Sequence, residues 1–420
     1  MTTQEIADLF IQYVMPTYGR SLAIVRGEGA RCWDADGKEY LDFGAGVAVN
    51  ILGHSHPAVV RALKAQAPTL IHCSNLYYSE PQGLLAKKIV EKVSASGKCF
   101  FCNSGAEANE TLYKLARKFG HDSGRYEILT MEGSFHGRTL AGIAATGQDK
   151  IKKGFEPIMD GFRHVPFNDL DAVKAAIGPK TAAILVEPIQ GESGIRPAAK
   201  EFLIGLRKLC NEKNLLLMYD EVQCGNGRTG AFFGFQSIAP DAVPDALSMA
   251  KGLGGGVPIG AVWTSGTRKI KVEQTSPSAQ SSAQSTDETS APLCDLLGPG
   301  SHASTFGGTP LACAVALAVL QTVEEKKLAE NADRRGKQLL RGLEVLRAKY
   351  PAIKDVRGLG LMIGVELDKE VKDFIAKCAS EGLLVIAAGS HTFRLVPPLI
   401  ISKADAEEAL AKLEKALTLL

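Results

Sequence analysis

From Cys99 to Thr264, short β-rich apolar runs alternate with amphipathic helical stretches, and this alternation leaves few folds open to the chain. Strands are expected at Cys99–Cys102, Tyr126–Thr130, Ala182–Val186, Leu215–Tyr219, Ala246–Met249 and Ile259–Thr264. Helical patterns such as Glu107–Phe119 and Glu201–Lys213 lie between them. The runs are continuously apolar, so both faces of each strand must be covered, which predicts an α/β fold with a mostly parallel sheet under helices. Ligands in such folds bind at the carboxyl ends of the strands.

At 420 residues the chain exceeds one simple core. Residues 327–420 read as a small α+β domain, with strands at Val356–Leu367, Leu383–Ala388 and Phe393–Pro397 and helices near Lys369–Ser380 and Lys403–Leu419. Residues 1–50, with a turn at Ala35–Lys38, are expected to pack on it as short strands, leaving 51–326 as the large domain. Within that domain 273–299 reads as a flexible insertion. Glu273–Pro292 is rich in Ser, Thr, Gln and Ala and has no large apolar residue to offset its ordering entropy.

A formal charge of +2 gives no electrostatic case for nucleic acid or an acidic membrane. No apolar run reaches the length of about 18 residues that a spanning helix needs, and Leu311–Val323 reads as a buried helix. The N-terminus lacks a secretory pattern. Nine scattered cysteines suit reduced thiols in the cytoplasm. Cys99 and Cys102 spell CxxC, but residues three apart on a strand face opposite ways, which suits core thiols better than a redox or metal pair. His54 and His56 in GHSHP have no second ligand cluster and read as a turn.

Three motifs carry chemistry together. Leu215–Glu221 (LLLMYDE) ends an apolar strand on two carboxylates, and a buried Asp there needs a cation or several donors. Lys251 ends another apolar strand and precedes glycines, a setting that can desolvate an amine and lower its pKa for imine formation. Asn103–Ala108 joins a strand to a helix with small residues, as a phosphate cradle at a helix N-terminus requires. Taken singly, each has a plain structural reading: a solvated strand end, a surface lysine and an N-cap serine. Together they supply partners for the ring nitrogen, aldehyde and phosphate of one cofactor.

With these residues in place, the sequence resembles the fold-type I, class III pyridoxal-phosphate aminotransferases over nearly its whole length. The likeness rests on SGAEAN at 104, SFHGRT at 134, EPIQGE at 187, DEVQ at 220, GRTG at 227, SMAKGLGGG at 248 and TFGG at 305. TYGR, FHGRT and RLVPPL most resemble the N-acetylornithine aminotransferases within the class. The resemblance implies a large sheet domain, a small α+β domain and a homodimer. It also implies pyridoxal 5'-phosphate as a Schiff base on Lys251, which shuttles the proton. Asp220 would pair with the pyridine nitrogen, and Ser104, Gly105 and Ala106 would hold the phosphate, helped by Thr305 of a neighbouring subunit. Phe135 would stack on the ring and Gln223 would touch its hydroxyl. Arg138 would grip the α-carboxylate of acetylornithine or the side-chain carboxylate of glutamate. Arg394 would grip the α-carboxylate of glutamate or 2-oxoglutarate, with Glu192 neutralising it in the other half-reaction. Tyr18 and Ser304 complete the implied substrate residues. Planar guanidinium forks suit such carboxylates.

Ornithine aminotransferases tend to carry a tyrosine where Gly46 stands, so Gly46 leaves room for an acylated amine. The expected reaction takes the δ-amino group of N2-acetylornithine to 2-oxoglutarate, as in arginine biosynthesis. Succinylornithine, succinyl-diaminopimelate, ornithine and 4-aminobutyrate are alternative donors. TFGGT stands at 305–309 where family members commonly read TFGGN. Gly225–Gly230 spells GxGxxG, but a dinucleotide fingerprint must turn directly from strand into helix, whereas the aromatic AFFGFQ follows here. That disfavours a nicotinamide dehydrogenase. A non-catalytic binding protein of the same fold is disfavoured by the presence of Lys251.

Overall fold

The structure is a computed structural model and describes residues 1–94, 96–272 and 289–420. Seven strands make the central sheet: β1 (Lys98–Cys102), β2 (Glu127–Met131), β3 (Phe162–Val165), β4 (Thr181–Val186), β5 (Leu216–Asp220), β6 (Ala246–Met249) and β7 (Gly260–Thr264). Their order is β1-β7-β6-β5-β4-β2-β3. Only β7 opposes the common direction, pairing antiparallel with β6 and β1. The fold is thus α/β with a mostly parallel sheet. Every residue of β4, β5 and β6 is buried, which is why those strands read as unbroken apolar runs. The parallel register sets Asp220 beside Ser248 at the carboxyl edge. Edge strand β3 was not expected. Its sequence, FRHV, buries only Val165 fully and carries little apolar signal.

The helix Gly105–Gly120 packs one face of the sheet through Leu112, Leu115 and Ala116, and Lys200–Glu212 packs the other through Phe202, Leu203, Leu206 and Leu209. Each such side chain contributes about 1.5–3 kcal/mol by leaving water. Cys99 and Cys102 pack into different cores across the sheet, as opposite-facing residues must. All nine cysteines are free.

A second core is built from both ends of the chain. Ile24–Glu28, Arg31–Asp34 and Glu39–Asp42 form a sheet that Leu383–Leu384 joins in parallel. Ile353–Leu359, Met362–Leu367, Thr392–Leu395 and Ile386–Ala387 form another, antiparallel sheet. The helix Pro310–Glu325 serves both cores: Ala312, Cys313 and Ala316 face the first, and Val315, Val319 and Val323 face the second. A helix packed on two flanks needs apolar residues on both, and here the exposed polar residues Gln321 and Glu325 are confined to its last turns. The helix Thr3–Tyr13, absent from the sequence reading, buries no residue.

The expected flexible insertion, 273–299, needs correction at its far end. Residues 273–288 lie outside the described residues, but Thr289–Pro292 pairs with Lys269–Val272 and Leu293 is fully buried. One leucine supplies the anchor that the composition of its neighbours hides. The GxGxxG segment does not open a helix. It forms turns, with Gly227 and Gly230 at positive φ, and a helix begins only at Gly234. Its Arg228 is fully buried and donates from Nη1 to the carbonyls of Leu361 (2.7 Å) and Pro397 (3.0 Å). Burial without a carboxylate partner pushes the Arg228 pKa down to about 9.

After the strand ending at Asp42 the chain makes a left-handed turn. Ala45, Gly46, Val47 and Ala48 all have φ between +46° and +64°. For non-glycine residues this conformation costs roughly 1–2 kcal/mol each, and more for β-branched Val47.

Candidate active site

The carboxyl ends of the parallel strands meet at a cavity of about 440 Å³. Asp220 ends β5, Lys251 follows β6, Ser104–Ala106 follows β1, Phe135–Arg138 follows β2 and Glu187 follows β4. Sheet topology therefore collects residues from five separate stretches, as the strand-end rule requires.

Asp220 is buried and fully engaged. Its Oδ2 accepts from Asn109 Nδ2 at 2.7 Å and from His136 Nδ1 at 2.8 Å, and its Oδ1 accepts from Val222 N–H at 3.1 Å. Burial pushes its pKa up, but the hydrogen bond and charge of His136, then the Asn109 bond, outweigh it, so the carboxylate stays below its usual range. Ser248 Oγ donates to Asn109 Oδ1 at 2.7 Å and fixes the amide. His136 Nε2 is buried and has no partner among the described residues. Nearby Glu187 accepts from Phe135 N–H (3.0 Å) and Gly191 N–H (3.2 Å), yet burial raises its pKa to about 7.

Lys251 opens a 3-10 turn at φ +43°, a strained position that persists only where the surroundings impose it. They do so here: a Cβ on Gly252 would lie 2.7 Å from Ile51, and Asn226 Nδ2 holds the Ala250 carbonyl at 3.3 Å. Burial lowers the Lys251 pKa, against the opposing charge of Glu192.

Ser104 caps the helix Gly105–Gly120, its Oγ accepting from Glu107 N–H at 3.2 Å. Gly105 and Ala106 begin that helix, so their N–H groups lie outside its internal ladder and can meet an anion. A Cβ on Gly105 would sit 2.7 Å from Val222, so only glycine fits this approach.

Arg394 is buried and meets Glu192 with two parallel bonds, Nη1 to Oε1 at 2.7 Å and Nη2 to Oε2 at 3.0 Å. Gln223 bridges them, donating to Glu192 at 3.2 Å and accepting from Arg394 at 2.9 Å. Although burial disfavours its charge, Glu192 stays below the usual carboxylate range because Arg394 faces it. Exposed Arg138 stands over the Phe135 ring, 5.5 Å from its centroid.

The expected residues are thus mostly brought together. Lys251, Asp220, Ser104, Gly105, Ala106, Phe135, Gln223, Arg138 and Glu192 line one cavity, with Arg394 bonded behind it. Three are not on its wall. Thr305 and Ser304 border a separate cavity with Asn75 and Leu76, although Ser304 Oγ accepts from Asn103 Nδ2 at 3.1 Å. Tyr18 is exposed beside Arg20. Sequence reasoning gave no role to Asn109, His136 or Glu187. All three lie inside quoted motifs (SGAEAN, SFHGRT, EPIQGE), which was the only signal available.

The model of the family Aminotransferase class-III matches residues 14–417. The chain belongs to the class-III aminotransferases. It is 45% identical to the acetylornithine aminotransferase of Caldanaerobacter subterraneus subsp. tengcongensis, over 97% of this chain and 98% of that one. The acetylornithine aminotransferase of Methanocaldococcus jannaschii is also 45% identical, over 100% and 99%. Among solved structures, the N-acetylornithine aminotransferase of Stenotrophomonas maltophilia superposes with a TM-score of 0.79 at 34% identity, covering 98% of both chains. An ornithine aminotransferase of Toxoplasma gondii, with partial occupancy of PLP at its active site, superposes with a TM-score of 0.89 at 32% identity, covering 99% of this chain and 94% of that one.

The residues present fit pyridoxal phosphate. The cavity offers a glycine-floored helix terminus for a phosphate, an ionised buried carboxylate for a pyridinium and a desolvated lysine for an aldehyde.

Proposed function

We propose that this aminotransferase moves the δ-amino group of N2-acetylornithine to 2-oxoglutarate, giving N-acetylglutamate 5-semialdehyde and glutamate, a step of arginine biosynthesis. The observation that carries this reading is the bidentate Glu192–Arg394 pair, whose Glu192 lines one cavity with the exposed Arg138. With the pair closed, Arg138 is the carboxylate receptor and the neutralised far side accepts an uncharged chain. With Glu192 turned away, Arg394 provides a second receptor, as a dicarboxylate such as glutamate or 2-oxoglutarate needs.

Bound pyridoxal phosphate supplies the electron sink that stabilises negative charge at the amine-bearing carbon. Ser104, Gly105 and Ala106 would hold its phosphate, Phe135 would cover the ring, and Asp220 would keep the ring nitrogen protonated. Gln223 holds Glu192 and Arg394 in register and would touch the ring hydroxyl. The lowered pKa of Lys251 lets its Nζ accept the proton from the substrate carbon and return it. Gly46 adds no side chain to the turn that leads to Val49 in the cavity wall, which suits an acylated donor.

A second copy of the chain completes this site. Leu70, Ile71, Leu76, Tyr77, Tyr78 and Phe306 are exposed in the segments that flank Thr305 and Ser304, an apolar surface that favours a partner. A homodimer would bring Thr305 to the partner's phosphate and Tyr18 and Ser304 to its substrate. Nine free thiols suit a cytoplasmic location, and no helix among the described residues is long and apolar enough to cross a membrane.

The test is a parallel assay of acetylornithine, succinylornithine, succinyl-diaminopimelate, ornithine and 4-aminobutyrate with 2-oxoglutarate. Acetylornithine should give the highest kcat/KM. A higher value for ornithine or 4-aminobutyrate would remove the argument from Gly46.

A further inference from the structure

Asp42 and His54 lie outside the cavity lining, yet they hold the backbone that forms part of it. The four left-handed residues Ala45–Ala48 lead directly into Val49, which lines the cavity. Such a turn does not persist by local preference, because three of its four residues carry a Cβ.

The carboxylate of Asp42 grips the entrance of the turn. Its Oδ1 accepts from Gly44 N–H at 2.9 Å and Ala45 N–H at 2.8 Å, and its Oδ2 is bonded by His54 Nε2 at 2.8 Å. His54 is itself fixed. Its backbone exchanges hydrogen bonds with Gly29, N–H to carbonyl at 2.8 Å and carbonyl from N–H at 3.0 Å. A Cβ on Gly27 would stand 2.5 Å from the His54 ring, so the imidazole fills the space left by a glycine.

The segment held in this way touches both chemical ends of the site. Ile51 packs on Gly252, next to Lys251. The carbonyls of Phe43 and Ile51 accept from Val396 (2.8 Å) and Leu399 (2.7 Å), just after Arg394. The GHSHP sequence thus has a use that neither a metal site nor a plain turn accounts for.

We propose that Asp42 and His54 form a positioning clamp, which holds the left-handed turn so that Val49 completes the wall of the active-site cavity. The pair touches no reacting atom. Releasing it lets the turn relax and withdraws Val49, loosening substrate binding while leaving the groups that move protons in place. Only the kinetic part of this inference rests on the proposed amine transfer.

The test compares His54→Ala, His54→Gln, Val47→Gly and the double variant His54→Ala/Val47→Gly with the wild-type enzyme. In His54→Ala, amide hydrogen exchange at residues 44–49 should accelerate at least about tenfold, while the central strands keep wild-type protection. With whichever amino donor the wild-type enzyme turns over, KM should rise about tenfold and kcat stay within about twofold. His54→Gln retains a donor for Asp42 and should lie close to wild type; if His54→Ala does not fold, His54→Leu, which fills the space beside Gly27 without a donor, carries the comparison and should show the same gains in exchange and KM. Val47→Gly removes the strain that the clamp opposes, so it should restore both exchange and KM in the His54→Ala background. Unchanged exchange in His54→Ala, a fall in kcat with KM unmoved, or no rescue by Val47→Gly would each overturn the clamp. A wild-type enzyme inactive with every donor would count against the proposed function and leave the exchange result standing.

Discussion

Asp220 and Thr305 are assigned to the same cofactor, yet their surroundings differ sharply. Asp220 is buried, and both its oxygens take partners from elements of the same chain. Thr305 is exposed, borders a different cavity and sits among uncovered apolar side chains. The floor of the site is finished within one chain, whereas in the proposed homodimer a second copy would close its mouth. Groups that must hold a charge or a proton lie where one fold can fix them. Of the groups proposed to meet substrate, Arg138 is exposed and Arg394 is buried.

If that contrast holds, substitutions on the floor should damage chemistry and those at the mouth should damage binding. Lys251→Ala should reduce turnover by about 10³–10⁴-fold in stopped-flow half-reactions, because it removes the proposed proton carrier. Asp220→Asn should cost about 10²–10³-fold in kcat, because the amide lacks the charge, and about 1–3 kcal/mol of stability, because its NH2 replaces an oxygen that accepts from a buried donor. Equal losses in KM alone would break the distinction.

Stability should report the floor as well. Glu187 and Glu221 are both raised by burial to about 7. In the unfolded chain they ionise at the ordinary value of 4.5, so between that pH and about 7 the native state binds more protons. The contribution of these two carboxyls to stability must then fall as pH rises through this window. Glu187→Gln should remove its share of the slope, on the order of 2–3 kcal/mol, read as urea midpoints from pH 4.5 to 7.

The groups proposed to meet substrate and partner should give smaller effects. Glu192→Gln leaves Arg394 unneutralised and should weaken the acetylornithine half-reaction about tenfold in kcat/KM, while the glutamate half-reaction is spared. Thr305→Ala should loosen cofactor retention about fivefold, the worth of one hydrogen bond. That loss should appear only at protein concentrations where the dimer persists, as followed by cofactor absorbance on dilution. Loss at every concentration would mean that Thr305 serves its own chain.

The same contrast explains what could be read from the sequence. Strands β4 to β6 were located to within a residue because complete burial makes them continuous apolar runs. Lys251, Asp220 and Ser104 were visible because each ends or follows such a run. The partners of Asp220 were not, since Asn109 lies 111 residues away and His136 lies 84. Neither residue has a local reason to be polar and buried. Edge strand β3 and the ordered segment after residue 288 escaped notice for the opposite reason, each depending on a single anchoring residue, Val165 or Leu293. The left-handed turn was hidden because Ala45 and Val47 are poor markers of positive φ.

The helix Pro310–Glu325 gives one flank to each hydrophobic core. Neither core can therefore be excised intact: a fragment ending before Pro310 lacks part of the wall behind the sheet, and one beginning there exposes an apolar flank. The two halves share one melting event by construction, and their relative placement, on which the reach from Lys251 to Arg394 depends, is fixed by the same sixteen residues.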